Sequence, residues 1–202
     1  MIEGRNTLTL EKPFLGSEAA AKVIEGLHAI PRTGWVRRGV ENPETVGEHS
    51  DALVDLAQKV CETRPELNQE KLERMVRVHD WPEYRTGDIV TVTPDAEERA
   101  RLLKDKFALE TAALESICSE MGPEGAEILA LWHEFEAGVT PEAKMAKQLD
   151  KLQAMLKAWE YQSSGAPVRA LDFIEYDGSK ITDPLLLEWF QGLKEKVAGE
   201  KK

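Results

Sequence analysis

Cysteine is nearly absent from this chain of 202 residues. Cys61 and Cys118 stand apart, in no C-x-x-C pair and no dense framework, so a reducing compartment, the cytoplasm, is expected. No apolar run approaches the length of a membrane span, and the N-terminus lacks the apolar core of a signal peptide. Positive charge is also short: 26 Lys and Arg against 37 Asp and Glu leave a net −11. That balance argues against a long nucleic-acid partner, which needs a basic face. It leaves room for a small phosphorylated ligand, because a few local Arg or Lys residues can hold one phosphate. There is no P-loop, no dinucleotide glycine fingerprint and no G-x-S-x-G. HEFEA (133–137) is not H-E-x-x-H, so a metalloprotease is not supported. No repeat, low-complexity run or linker divides the chain, and its length suits one domain. Residues 2–5, IEGR, match a protease cleavage sequence and carry no weight for the fold.

What the chain does have is helical periodicity. Ala20, Val23, Ile24, Leu27 and Ile30 follow helical spacing behind a Ser17 cap. IPRTGWVRRGVENPE (30–44) interrupts it with Pro31, Gly34, Gly39 and Pro43 and reads as irregular. Val46, His49, Leu53, Leu56 and Val60 then mark an amphipathic helix. Asn68 caps the next, which carries Leu72, Met75, Val76 and His79. Residues 81–96 are broken by Pro82, Gly87 and Pro94; within them IVTVT (89–93) could form a short strand, without an evident partner. Residues 97–121 predict a long charged helix with Leu103, Phe107, Leu114 and Ile117 inward, stopped near Gly122 and Pro123. Another helix carries Ile128, Leu129, Leu131, Trp132 and Phe135. TPEAK (140–144) is a start signal, with Thr140 as cap and Pro141 at the first helical position. Behind it run Met145, Leu149, Leu152, Leu156 and Trp159. Residues 165–167 break the chain, and Asp183 and Pro184 open a last helix through Leu187 and Phe190. The tail 194–202 is expected to fray. The fold class expected is all-α, a single-domain helical bundle over residues 1–202.

Two histidines lie on apolar stripes: His49 with Val46 and Leu53, His79 with Leu72, Met75 and Val76. Either alone reads as a buried histidine bonded to backbone. Acids beside them change that reading. Asp80 adjoins His79, and a buried carboxylate needs a cation, a metal or several donors. Asp150, in QLDKL (148–152), lies at the margin of its apolar stripe, where it can turn inward or stay solvated. His49, His79, Asp80 and Asp150 together would make a set of two nitrogens and two oxygens. Such a set suits one divalent ion such as Mn, Co, Fe, Zn or Mg. Adjacent residues diverge by about 100° on a helix. His79 and Asp80 can therefore meet one ion only if the helix axis points at the site or the helix loosens there. A break at Trp81 and Pro82 is compatible with that.

EHS (48–50), HDWPE (79–83) with GD (87–88), and LDK (149–151) resemble the ordered H…HD…D signature of the HD-domain metal-dependent phosphohydrolases. PRTGWVRRGVENPETVGEHS (31–50) and TPEAKMAKQLDKL (140–152) resemble the branch containing bacterial 5'-deoxynucleotidases and their eukaryotic relatives. The likeness covers roughly residues 18–162, which would be the core, with a helical extension over 163–202. It implies an all-helical HD-domain bundle, often a homodimer, with His49, His79, Asp80 and Asp150 as metal ligands. It favours Arg32 for phosphate and Trp35 against sugar or base. Lys151, next to Asp150, is a further substrate-binding candidate, while Arg37 and Arg38 stay unassigned. Glu83 would accept a proton from water, and Asp88 would position water or a protonated leaving group. Glu48 is either a partner of a ligand or a helix-start acid.

A divalent ion with two Asp ligands is formally neutral, so a phosphate dianion also requires cationic side chains. Dinuclear relatives need further ligands between the HD pair and the last Asp. Only His133 lies there, and it reads as structural or exposed, as does His28, so one ion is expected. Pro82 departs from the family pattern: it removes a backbone donor and should end or kink the helix before Glu83. The implied reaction is dephosphorylation of deoxyribonucleoside 5'-monophosphates by attack of metal-activated water. The alternatives are a nucleotide phosphodiesterase or pyrophosphohydrolase on the same scaffold, and a catalytically silent module that binds metal and nucleotide.

Overall fold

The computed structural model describes residues 15–199. Residues 2–5, excluded from the fold reasoning, and the last residues of the tail lie outside that range. The architecture is all-α, with no strand among the described residues; one isolated bridge joins Pro31 to Thr45. No helix of the described residues is long and apolar enough to cross a membrane.

Helix starts follow the sequence signals. Ser17 caps α1 (Glu18–Leu27) by accepting from the Ala20 N–H. Thr45 and Glu48 form a reciprocal capping box on α3 (Val46–Cys61), which settles Glu48 as a helix-start acid. Asn68 caps α4 (Gln69–Val78), and Thr140 with Pro141 opens α8 (Pro141–Ser163). Two short helices interrupt the segments read as irregular: α2 (Thr33–Val36) and α5 (Glu83–Thr86).

One core cluster joins α3, α4 and α8 through Leu53, Leu72, Met75, Leu149 and Leu152, all fully buried. Each such side chain contributes about 1.5–3 kcal/mol relative to exposure. Leaning on this cluster are α9 (Ala170–Asp177), a following 3-10 turn (Gly178–Lys180) and α10 (Pro184–Gly199). A second cluster packs α1 against α6 (Ala96–Ser119), α7 (Pro123–Ala137) and the buried Trp81. At Gly125 the α6 and α7 backbones touch so closely that a Cβ would collide with the Cys118 carbonyl.

Three readings need correction. Residues 89–93 are not a strand: without a partner edge their backbone has no ladder to join, and they run as an irregular segment along a cavity wall. Leu103 and Phe107 do not point into the core; they are 49% and 45% exposed. The buried residues of α6 lie in its C-terminal part, Ala113, Leu114, Ile117 and Cys118, while Phe107 stacks on the Trp132 ring at 5.6 Å. Helical periodicity names a face and not what covers it. The tail does not fray at residue 194: α10 runs on to Gly199 because Leu193 and Val197 are buried.

Candidate metal centre and substrate cavity

Three helices bring the predicted ligands together. His49 lies in the first turns of α3, Asp150 in the middle of α8, and His79 is the residue that ends α4. His49 Nε2 is 3.3 Å from Asp150 Oδ1 and 3.9 Å from Asp80 Oδ2, and His79 Nε2 is 3.1 Å from Asp80 Oδ2. The two imidazole centroids are 5.4 Å apart. Ligand atoms of His49, His79 and Asp150 all fall within 4.8 Å of one another. Asp80 lies beside this trio, on the His79 side.

The adjacency of His79 and Asp80 has a backbone cause. After Val78 the chain tightens into i→i+3 turns: Trp81 N–H bonds Val78 O, Glu83 N–H bonds Asp80 O, and Tyr84 N–H bonds Trp81 O. Pro82 opens α5 from its N-cap position, where its missing donor costs nothing, and Glu83 turns inward to near-complete burial. Gly87, at φ +69°, then reverses the chain toward Asp88.

Both histidines are aimed by their other nitrogen. His49 Nδ1 meets Gln153 Oε1 at 2.7 Å, and Gln153 Nε2 donates to Glu44 Oε2 at 3.0 Å. His79 Nδ1 donates to Val76 O at 2.8 Å, while Trp132 donates to the His79 carbonyl at 3.0 Å. An Nδ1–H fixed in this way leaves Nε2 as a lone pair. Both Nε2 atoms are buried and have no hydrogen-bond partner. Two orphaned acceptors converging with carboxylates fit a divalent cation, since unpaired buried polar atoms are otherwise costly. The two imidazoles respond differently to this setting: against the effect of its burial, His79 is raised by Asp80. Burial and the nearby Arg32 hold His49 below its usual range. Although burial opposes it, Asp80 is held low by His79 and Asp150 by Lys151 and His49.

Above the ligands lie two adjoining cavities of about 460 and about 300 Å³, both lined by Thr91, Lys106 and Lys151. The first exposes His79, Asp80 and Asp150; the second exposes Arg32, Trp35 and Asp88. Arg32 Nη1 is buried without a hydrogen bond, 3.7 Å from Glu44 Oε1. Lys151 Nζ pairs with Asp150 Oδ2 at 2.8 Å. Trp35 is buried: its N–H donates to Glu44 Oε1 at 2.9 Å and its ring stacks on Phe173 at 4.9 Å. Asp88 accepts the Thr33 N–H at 2.6 Å, and the Thr33 hydroxyl donates to the Asp88 carbonyl at 2.9 Å. Burial, Asp80 and Asp88 push the Glu83 carboxyl well above its usual range, with Lys106 opposing from 3.5 Å. The other histidines stay outside. His133 is exposed beside Trp132, and His28 is bonded to Ile24 O and Asp51.

Four residues at the site escaped sequence reasoning: Glu44, Gln153, Lys106 and Glu110. Gln153 had a signal, being a polar residue inside the apolar stripe of α8. Glu44 had none, because its partners lie across the fold. Lys106 and Glu110 form an ordinary i,i+4 pair on α6, 3.3 Å apart, on a helix that reads as solvated.

The HD domain family profile matches residues 24–183. A protein of Xenopus laevis named 5'-deoxynucleotidase HDDC2 is 33% identical over 178 residues, covering 87% of this chain and 84% of its own. The Homo sapiens protein of the same name is 32% identical, covering 83% and 79%. A solved structure from Magnetospirillum magnetotacticum, described as a predicted metal-dependent phosphohydrolase, superposes with a TM-score of 0.66. It is 24% identical and covers 89% of this chain and 94% of its own, so it speaks for the shared fold. With that profile and those relatives spanning most of its length, this chain belongs to the HD domain family.

Proposed function

We propose that the protein is a metal-dependent phosphomonoesterase that converts deoxyribonucleoside 5'-monophosphates to nucleoside and inorganic phosphate. One observation carries the reading. Two unpartnered Nε2 atoms converge with carboxylates at the floor of a cavity that continues to a buried, unpaired Arg32 guanidinium nitrogen. The names of the relatives supply the substrate class.

In this reading His49, His79, Asp80 and Asp150 hold one divalent ion: Mn, Co, Fe, Zn or Mg. When bound, the ion would act as a Lewis acid toward the phosphoryl group and would acidify water. The side chains do the rest. Arg32 and Lys151 offset the phosphate charge, Arg32 through the donor it leaves unpaired. Glu83, whose carboxyl burial and Asp80 raise well above its usual range, takes the proton of the attacking water. Asp88 ties the Arg32 loop in place through Thr33 and keeps its second oxygen for the leaving group. Trp35, pinned by Glu44, forms a wall against the sugar rather than an open stacking face. The cysteine usage supports a cytoplasmic protein, and the family likeness supports a homodimer.

The test is a nucleotide panel on metal-stripped protein with divalent ions returned singly. Nucleoside and phosphate should appear together, and His79→Ala and Asp80→Ala should abolish both. A monophosphate or pyrophosphate product would point instead to a diesterase or pyrophosphohydrolase. Tight nucleotide binding without turnover would mark a silent module. If no phosphate is released with any ion, the reading fails.

A further inference from the structure

The cations assigned so far leave a gap. Lys151 is committed to Asp150 at 2.8 Å. Arg32 stands beside Glu44 and lines the second cavity but not the first. The other cation shared by both cavities is Lys106 of α6. It lines the cavity that exposes His79, Asp80 and Asp150, and also the one that exposes Arg32, Trp35 and Asp88. A 5'-monophosphate with its phosphate at the metal ligands and its nucleoside beside Trp35 must pass this junction. The ammonium has two carboxylate neighbours, Glu83 Oε1 at 3.5 Å and Glu110 Oε1 at 3.3 Å. Both distances exceed the roughly 2.7–2.9 Å of a charge-assisted hydrogen bond. Its side chain is only 24% exposed, so a dianion placed there would meet a partly desolvated cation. Its neighbours along α6, Leu103 and Phe107, border the same opening.

We propose that Lys106 is a catalytic residue that grips the substrate phosphate, exchanging its loose contacts with Glu83 and Glu110 for phosphoryl oxygens. Glu110 is then a resting counter-ion that competes with the ligand. The inference rests on the phosphomonoesterase reading above and adds to it a residue that neither the motif nor the ligand set contains.

The experiment uses holoprotein with its activating ion. It measures inhibition by inorganic phosphate and by 2'-deoxyadenosine, which carries no phosphate, alongside kcat and KM. Lys106→Gln should raise the phosphate inhibition constant and the KM by about tenfold or more, with the nucleoside constant unchanged within about twofold. Lys106→Arg should recover part of the loss. Glu110→Gln should shift phosphate binding the other way, to tighter, and the gain should vanish when combined with Lys106→Gln, as a direct coupling demands. Lys104→Gln, an exposed charge on the same helix, should leave every constant unchanged. A Lys106→Gln protein that loses kcat yet binds phosphate as the parent does would overturn the proposal and confine the lysine to acting through Glu83. Persistent tightening in the double variant would overturn it too, as a mere field effect of the lost acid. Absence of phosphate release by the parent protein with every ion would instead sink the phosphomonoesterase reading itself.

Discussion

The site has two unlike walls. On one, α3, the end of α4 and α8 present His49 and His79, both buried, each with Nδ1 satisfied and Nε2 bare. On the other, residues 30–36, residues 88–92 and α6 present Arg32, Asp88 and Lys106, with Glu83 of α5 behind Lys106. The first wall is held by core packing and short hydrogen bonds. The charges of the second face each other at 3.3–3.7 Å. The contrast matches what each side would do in the proposed reaction. Ligand atoms gain from being fixed before the ion arrives, because orientation is then settled in advance. Cations for a passing dianion gain from partners that can be exchanged.

The contrast breaks most sharply at the ligand wall. Asp150→Ala should lower phosphate release by about 10³-fold or more, since a bound ion supplies several kcal/mol to the transition state. Metal content after dialysis should fall with it. Gln153→Leu removes the acceptor of His49 Nδ1 without touching the ion, and should weaken metal affinity by about 10–100-fold in a titration. A full set of activity constants at saturating metal would distinguish that from damage to the cavity. On the other wall, Arg32→Gln should reduce kcat/KM by about tenfold or more, mainly through KM, with metal affinity preserved; a charge-assisted hydrogen bond of about 1.5–3 kcal/mol is at stake.

The smallest effect should be one of stability. Burial, opposed by Lys106, and the acids Asp80 and Glu136 lift the Glu110 carboxyl to about 7. A carboxyl raised in the folded state binds its proton more tightly there. Its ionisation therefore removes stability as pH rises from its usual range through about 7. Glu110→Gln should thus raise the melting temperature of metal-free protein relative to the parent at pH 8 but not at pH 5, by about 2–4 °C. An equal shift at both pH values would contradict the assignment.

The two walls also differ in how far the sequence discloses them. His49 and His79 are legible because a polar residue on an apolar period of 3 and 4 is an anomaly that demands a partner, whereas Asp150, at the margin of its stripe, is singled out only by the family resemblance. The cap residues Ser17, Asn68 and Thr140 are legible because their side-chain bonds are local. Lys106 and Glu110 are not, since an i,i+4 ion pair on a charged helix is what solvent exposure produces. Glu44 and Gln153 meet across 109 positions of chain, a separation no local pattern encodes. Leu103 and Phe107 misled for a related reason: their face is apolar but borders an opening, and Phe107 meets α7 only through the Trp132 ring at 5.6 Å. Trp35 stands between the two cases. Its presence at the site follows from the motif, but its burial against Phe173 depends on α9, a helix the sequence did not announce.

The pair of hydrogen bonds between Thr33 and Asp88 has a bearing on engineering. It clamps together two surface stretches separated by 55 positions. Grafting either stretch alone from another protein, or lengthening one by a residue, would leave Arg32 and Asp88 out of step. Chimeras should transplant residues 30–44 and 87–92 as a matched set.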